Sequence, residues 1–171
     1  MGYGIENLMD LIMVGGGVVR DKGDDNEMAG SSAAAKMSVS AVAEIANNTD
    51  VYGMQVPTTS FFLRGGLEGI CSYNGKCQVG VQASFAGVPG ILGTFAAVNL
   101  GADYSIDDGS KKAFVGGELA FLNIFSPAVE MWSLEGRVTM DSADRSIGFG
   151  LFLNVGGSIK AAVKPAAAAG S

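Results

Sequence analysis

The chain has 171 residues, enough for one domain with a sizeable core, yet only 16% are charged, well under the roughly 25% usual in soluble domains. With 11 basic and 17 acidic side chains and no clustered Arg or Lys, it is mildly acidic, which argues against nucleic-acid binding. There is no histidine, so Ser-His-Asp and Cys-His triads and His-based metal sites are excluded.

At the start, Met1–Glu6 carries no positive n-region and does not read as a secretory signal as it stands. Ile5, Leu8, Met9, Leu11 and Ile12 recur at helical spacing. They predict a short amphipathic helix over 5–14, stopped by Gly15-Gly16-Gly17, so that residues 1–19 form a helical arm. Residues 20–36 are acidic, then Gly-, Ser- and Ala-rich, and read as a flexible linker. No stretch reaches the roughly 20 apolar residues of a membrane helix.

Residues 37–160 read as one β-barrel domain of eight strands, at about 37–46, 51–56, 59–73, 76–86, 91–106, 112–125, 128–140 and 146–160. An Ala-rich tail, 161–171, follows. The connections alternate in character. Asn47–Asp50, Asn74-Gly75, Asp107–Lys111 and Asp141–Asp144 fall at one end; Pro57-Thr58, Gly87–Gly90 and Ser126-Pro127 fall at the other. That alternation favours an up-and-down meander over a Greek key. The predicted fold is all-β: an eight-stranded antiparallel up-and-down meander barrel with a short N-terminal amphipathic helix.

Two cysteines frame one turn. A three-residue loop, Tyr73-Asn74-Gly75, with the glycine left-handed, sets Cys71 opposite Cys77, close enough for a disulfide. Such a bridge implies an oxidising compartment. The alternative is two free thiols packed as small hydrophobes.

The strands have two contrasting faces. Along 146–159, Ile147, Phe149, Leu151, Leu153 and Val155 alternate with Ser146, Gly148, Gly150, Asn154 and Gly156. Leu67, Val81, Val98, Leu119, Trp132 and Leu134 join the apolar face. Arg64, Glu68, Gln82, Glu118, Glu135 and Arg137 join the other, with Gln78, Asn99, Asp103 and many glycines. A soluble sheet clothes its wet face in Lys, Glu and Thr; here Lys36, Lys76, Lys111, Lys112, Lys160 and Lys164 lie in turns or near termini. The glycine-rich polar face suits the inside of a narrow barrel, where charges must be paired, with the apolar face turned outward. The competing reading is a sandwich with ordinary exposed charges. Tyr52, Tyr73 and Tyr104 fall near the charged-turn end, and Phe61, Phe85, Phe125 and Trp132 near the other, as two aromatic girdles would.

On these features residues 37–160 resemble small eight-stranded outer-membrane barrels. The pattern Ser146-x-Gly148-x-x-Leu151-x-Leu153 is similar to the insertion signal in the final strand of organelle barrels. The resemblance implies a non-enzymatic barrel in the outer membrane, or another membrane reached by barrel insertion, with an anchoring, surface-contact or structural role. Its partners would be membrane lipid or copies of itself, with no cofactor, metal, nucleic acid or small-molecule substrate. A second reading is a self-assembling subunit of a virion, tail tube, filament or other extracellular assembly, its apolar face buried between sheets or copies. A third is a lipocalin-like carrier with the apolar face inward.

Overall fold

The computed structural model describes residues 3–20, 31–51, 54–87, 94–122 and 131–158. They form eight strands: β1 Tyr3–Arg20, β2 Ser32–Val51, β3 Met54–Ser72, β4 Cys77–Gly87, β5 Thr94–Ser105, β6 Lys111–Leu122, β7 Met131–Asp141 and β8 Ile147–Ser158. Each pairs antiparallel with the next, and β8 pairs with β1, closing the sheet. Closure leaves no open edge around the cylinder, where unpaired N–H and C=O groups would otherwise be exposed.

The registers fix the dimensions of the cylinder. A circuit from Met9 passes through Val42, Arg64, Ser84, Asn99, Gly116, Arg137 and Gly150 and returns to β1 at Val19, ten residues further on. Eight strands at that stagger tilt by about 40° and enclose a backbone radius of about 8 Å, with an axial rise of about 2.5 Å per residue.

The N-terminal segment differs from its expected form. Residues 5–14 belong to strand β1, and no helix is present there. Met13 is buried in the lumen while Val14 and Val18 face outward. From Leu11 to Val14 apolar residues fall on both faces of β1, a pattern that lacks the alternation expected of a strand, and closure of the sheet requires a strand between β8 and β2. Gly15-Gly16-Gly17 does not stop the element; it pairs with Asn154, Leu153 and Phe152. Of the expected linker, Ser32–Lys36 begins β2 and Arg20 ends β1, while 21–30 lies outside the described residues, as does the tail 161–171.

Two expected turns are also strand. Asn47–Asp50 continues β2, and Pro57-Thr58 lies within β3, so the predicted strands 51–56 and 59–73 are not separate. A register slip after Asn47 places Pro57 opposite Asn48. Proline, which cannot donate to a ladder, thus sits at an irregularity in the β2–β3 pairing. β1, β2 and β3 consequently run past the other five strands: β1–β8 pairing stops at Leu11 with Ser158, whereas β2–β3 pairing continues to Val51 with Met54.

The opposite rim is tight. Gly75 takes φ 88° in the three-residue β3–β4 loop, and Cys71 and Cys77, paired in register, form a disulfide. In the β5–β6 turn Gly109 has φ 71°; Arg145 takes the equivalent position of the β7–β8 turn at φ 61°. Aspartates lock both turns. Asp108 accepts from the Ser110 N–H at 2.9 Å and Asp144 from the Ser146 N–H at 2.7 Å. These backbone bonds hold both carboxyls below the usual Asp range, so the turns keep their locks as pH falls through it and lose them only in stronger acid. Asp107 accepts from the Cys77 N–H, tying neighbouring hairpins together.

Glycine marks the crowded inner wall. A methyl at Gly101 would run into the Val81 carbonyl and the Phe114 ring, whereas one at Gly136, on the outside, meets nothing within 4 Å. Gly101→Ala should lower stability in a denaturant titration by about 2 kcal/mol, as overpacking does. Gly136→Ala should stay within about 0.5 kcal/mol. Equal effects would contradict the assignment of faces.

Candidate functional site: an apolar belt around a charged plug

The outer wall follows from the pleat. On each strand alternate residues point away from the axis, and between the rims those described are apolar, glycine, cysteine or aromatic. Leu67 is 65% exposed and Phe149 58%. Val81, Val98, Leu119, Trp132, Leu134, Leu151 and Leu153 are about half exposed, on β4 to β8. The described outward charges are few: Arg20 and Lys111 at strand ends by the tight-turn rim, and Asp10 within β1, next to Leu11 where its pairing with β8 stops. Tyr73 and Tyr104 lie near the tight-turn rim, and Phe85, Phe121 and Trp132 toward the other, where Phe61 stacks on Phe85 at 5.4 Å. Tyr52 and Phe125 lie outside the described residues.

The inner wall carries the charges, in two tiers. Nearer the open-ended rim, Arg64 pairs with Glu118 at 2.5 Å and donates from Nε to Ser84 Oγ at 3.1 Å. Asn99, fully buried, donates to the same Glu118 carboxylate at 3.1 Å. The second tier centres on Arg137. It meets Glu68 through two parallel bonds of 2.7 and 2.9 Å and Glu135 at 2.6 Å. Lys36 bridges the same two glutamates at 3.0 and 2.5 Å. The guanidinium lies 4.1 Å from the Phe114 ring centre and 5.3 Å from that of Phe152. Such fork-to-carboxylate geometry beside two aromatic rings suits arginine and would not suit lysine.

Among the residues singled out from the sequence, Arg64, Glu68, Glu118, Glu135 and Arg137 thus meet inside, and Gln82 is buried beside them. Lys36, Phe114 and Phe152 had not been placed there. Lys36 shares the parity of Ser38 and Ser40, Phe114 that of Glu118 and Phe152 that of Asn154, which is the signal that locates all three. Lys36 is therefore a lumen residue, not a turn lysine; it is 5% exposed.

Asp103 differs from the other buried carboxylates. Its Oδ2 lies 3.6 Å from Arg137 and has no hydrogen-bond partner. It lines a cavity of about 30 Å³ with Lys76, Gln78, Lys112 and Thr139, near the tight-turn rim. That volume suits about one water molecule. No group of three or more metal-ligating side chains occurs among the described residues.

Comparison with protein-family models, curated proteins and solved structures finds no match for this chain.

Removing one partner of a buried ion pair strands the other. Glu118→Leu, which takes from Arg64 its buried carboxylate partner, should cost about 3–5 kcal/mol in denaturant titration. The double change Glu118→Leu with Arg64→Met should recover most of that loss. A neutral Glu118→Leu would place the pair outside the plug.

Proposed function

We propose that the protein is a non-enzymatic β-barrel embedded in a membrane, the outer membrane or another reached by barrel insertion, where it serves an anchoring, surface-contact or structural role. The observation that carries this reading is the distribution of polarity: apolar side chains around the outer circumference, paired charges within. Contiguous exposed apolar surface on this scale is not kept in water by monomeric soluble proteins. Bilayer lipid covers it without leaving backbone groups unpaired, because the sheet is closed. Strands β4 to β8, of 11–12 residues, match the length that crosses a bilayer when tilted. The Cys71–Cys77 disulfide is consistent with maturation in an oxidising compartment.

With Arg137 fixed between two glutamates and two phenylalanine rings, the lumen holds a plug, and the barrel is proposed not to conduct ions. The carrier reading needs internal space for an apolar ligand; the buried charges and the small cavity count against it. A self-assembling subunit stays as the second reading. It is favoured by outward small residues adjacent in register, Ala41 with Gly65 with Ala83 and Gly117 with Gly136, which permit close approach of a neighbouring wall.

Expression without detergent followed by size exclusion separates the readings. The membrane reading predicts a chain that stays dispersed only in detergent, co-floats with lipid vesicles and leaves planar-bilayer current at baseline. A detergent-free monomer would contradict it. Large regular particles formed without lipid would favour assembly.

A further inference from the structure

We propose that the Cys71–Cys77 bridge is a thiol–disulfide exchange site, a reversible two-electron couple that reacts with a dithiol at the tight-turn rim. The inference does not rest on the membrane reading.

The fold does not need this bridge to close its turn. Ser72 donates its N–H to the Lys76 carbonyl at 2.9 Å, and its own carbonyl accepts from the Gly75 N–H at 2.9 Å. The other two tight turns of this rim repeat that pattern without cysteine. Ser105 donates to the Ser110 carbonyl at 2.9 Å and accepts from Gly109 at 3.1 Å; Asp141 donates to Ser146 at 3.0 Å and accepts from Arg145 at 3.1 Å. Two hairpins of the same kind are thus closed with no cross-link. The β3–β4 tip is held further by the Tyr73 N–H on the Ala33 carbonyl at 2.7 Å and the Cys77 N–H on the Asp107 carboxylate at 2.8 Å. The loop between the cysteines is also short, and a cross-link constrains the unfolded chain least when its loop is short.

What distinguishes the bridge is access. Both cysteines lie on the outer wall, with the outward parity of Leu67 and Val79, beside a turn whose Tyr73 is 92% exposed. Cys71 is exposed and Cys77 half-buried. A thiolate reaches an exposed disulfide directly, whereas one inside a core is reached only when the fold opens. The β3–β4 ladder sets the two cysteines opposite each other, Cα to Cα 4.1 Å. After reduction the same ladder keeps the thiols facing, ready to re-form the bond.

The exchange runs in two steps. A thiolate of the dithiol attacks the more exposed sulfur, Cys71 Sγ; the S–S bond breaks, a mixed disulfide forms, and Cys77 leaves as a thiolate that takes a proton from water. The second thiolate of the dithiol then attacks its own sulfur in the mixed disulfide, and Cys71 leaves and is protonated in turn. Two electrons and two protons pass to the protein, and the dithiol departs as a cyclic disulfide. An oxidised partner drives the same steps in reverse.

The full chain, in detergent micelles or in buffer if it needs none, is treated with dithiothreitol and quenched with acid at intervals. Free thiols are counted by maleimide mass shift while far-UV circular dichroism follows the barrel. The native protein should be reduced at a rate within about tenfold of that of the chain unfolded in guanidinium, because the bridge is open to attack in both. Its β signal should not change, and oxidised dithiothreitol should restore the bridge. With oxidised glutathione, Cys77→Ser should form a mixed disulfide about threefold or more faster than Cys71→Ser, since it keeps the more exposed sulfur. Reduction no faster than the barrel unfolds, or a β signal lost on reduction, makes the bridge a staple of the fold and overturns the proposal. Reduced thiols that do not pair again under oxidised dithiothreitol overturn it as well. Equal or reversed adduct rates overturn the assignment of Cys71 as the attacked sulfur.

Discussion

Eight strands closed at a stagger of ten leave a lumen about one layer of side chains wide, and each charge inside must find its counter-charge across that gap. The rest of the structure follows from this constraint. Because the cylinder is narrow, inward side chains from opposite strands meet: Lys36 on β2 reaches Glu135 on β7, and Arg64 on β3 reaches Glu118 on β6. Because the space is shared, large residues need glycine beside them. The Phe114 ring lies over Gly101, and Arg137 and Phe152 both crowd Gly150. Glycines on the inner wall, such as Gly66, Gly80, Gly101, Gly116 and Gly150, therefore answer a packing requirement, whereas outward Gly65, Gly117 and Gly136 do not.

Paired charges inside and apolar groups outside are two consequences of one pleat. Moving any strand by one residue would exchange its faces, sending leucines into the ion pairs and glutamates outward. The register is thus held from both sides, by the Arg137–Glu68 and Arg64–Glu118 pairs within and by the belt without. Tight turns closed by Asp108, Asp144 and the Cys71–Cys77 bridge fix it at one rim.

Much of this was readable from residues 61–158, where alternation is regular and turn residues punctuate it. Asn74-Gly75 and Asp108-Gly109 carry chemistry specific enough to place their turns, and the cysteine spacing placed the bridge. Strand β1 was not readable as a strand, because from Leu11 to Val14 apolar residues fall on both its faces and break the alternation. β2 and β3 were misdivided because Pro57 and the Asn47–Asp50 run look like turns. In the fold those residues lie where β2 and β3 extend past the neighbouring strands and a register slip accommodates them. The count of eight strands was reached only because the missed β1 offset the surplus division. Lys36 was overlooked because it adjoins a segment that reads as linker. Alternation alone does not say which face is inside, since it is symmetric under exchange. The scarcity of lysine and the crowding of glycine on the polar face weigh toward an inward polar face, but only the side-chain burial decides it.

The most direct test of the account is the lipid exposure of single residues along β8. Spin labels placed one at a time from Phe149 to Asn154, in a Cys71→Ser, Cys77→Ser background reconstituted in vesicles, report collisions with oxygen dissolved in the hydrocarbon. Strong collision signals at Phe149, Leu151 and Leu153, which face outward, and weak ones at Gly150, Phe152 and Asn154, which face inward, are what the proposed membrane role predicts. The inverse pattern, or labels that meet only water-soluble relaxants at every position, would contradict it.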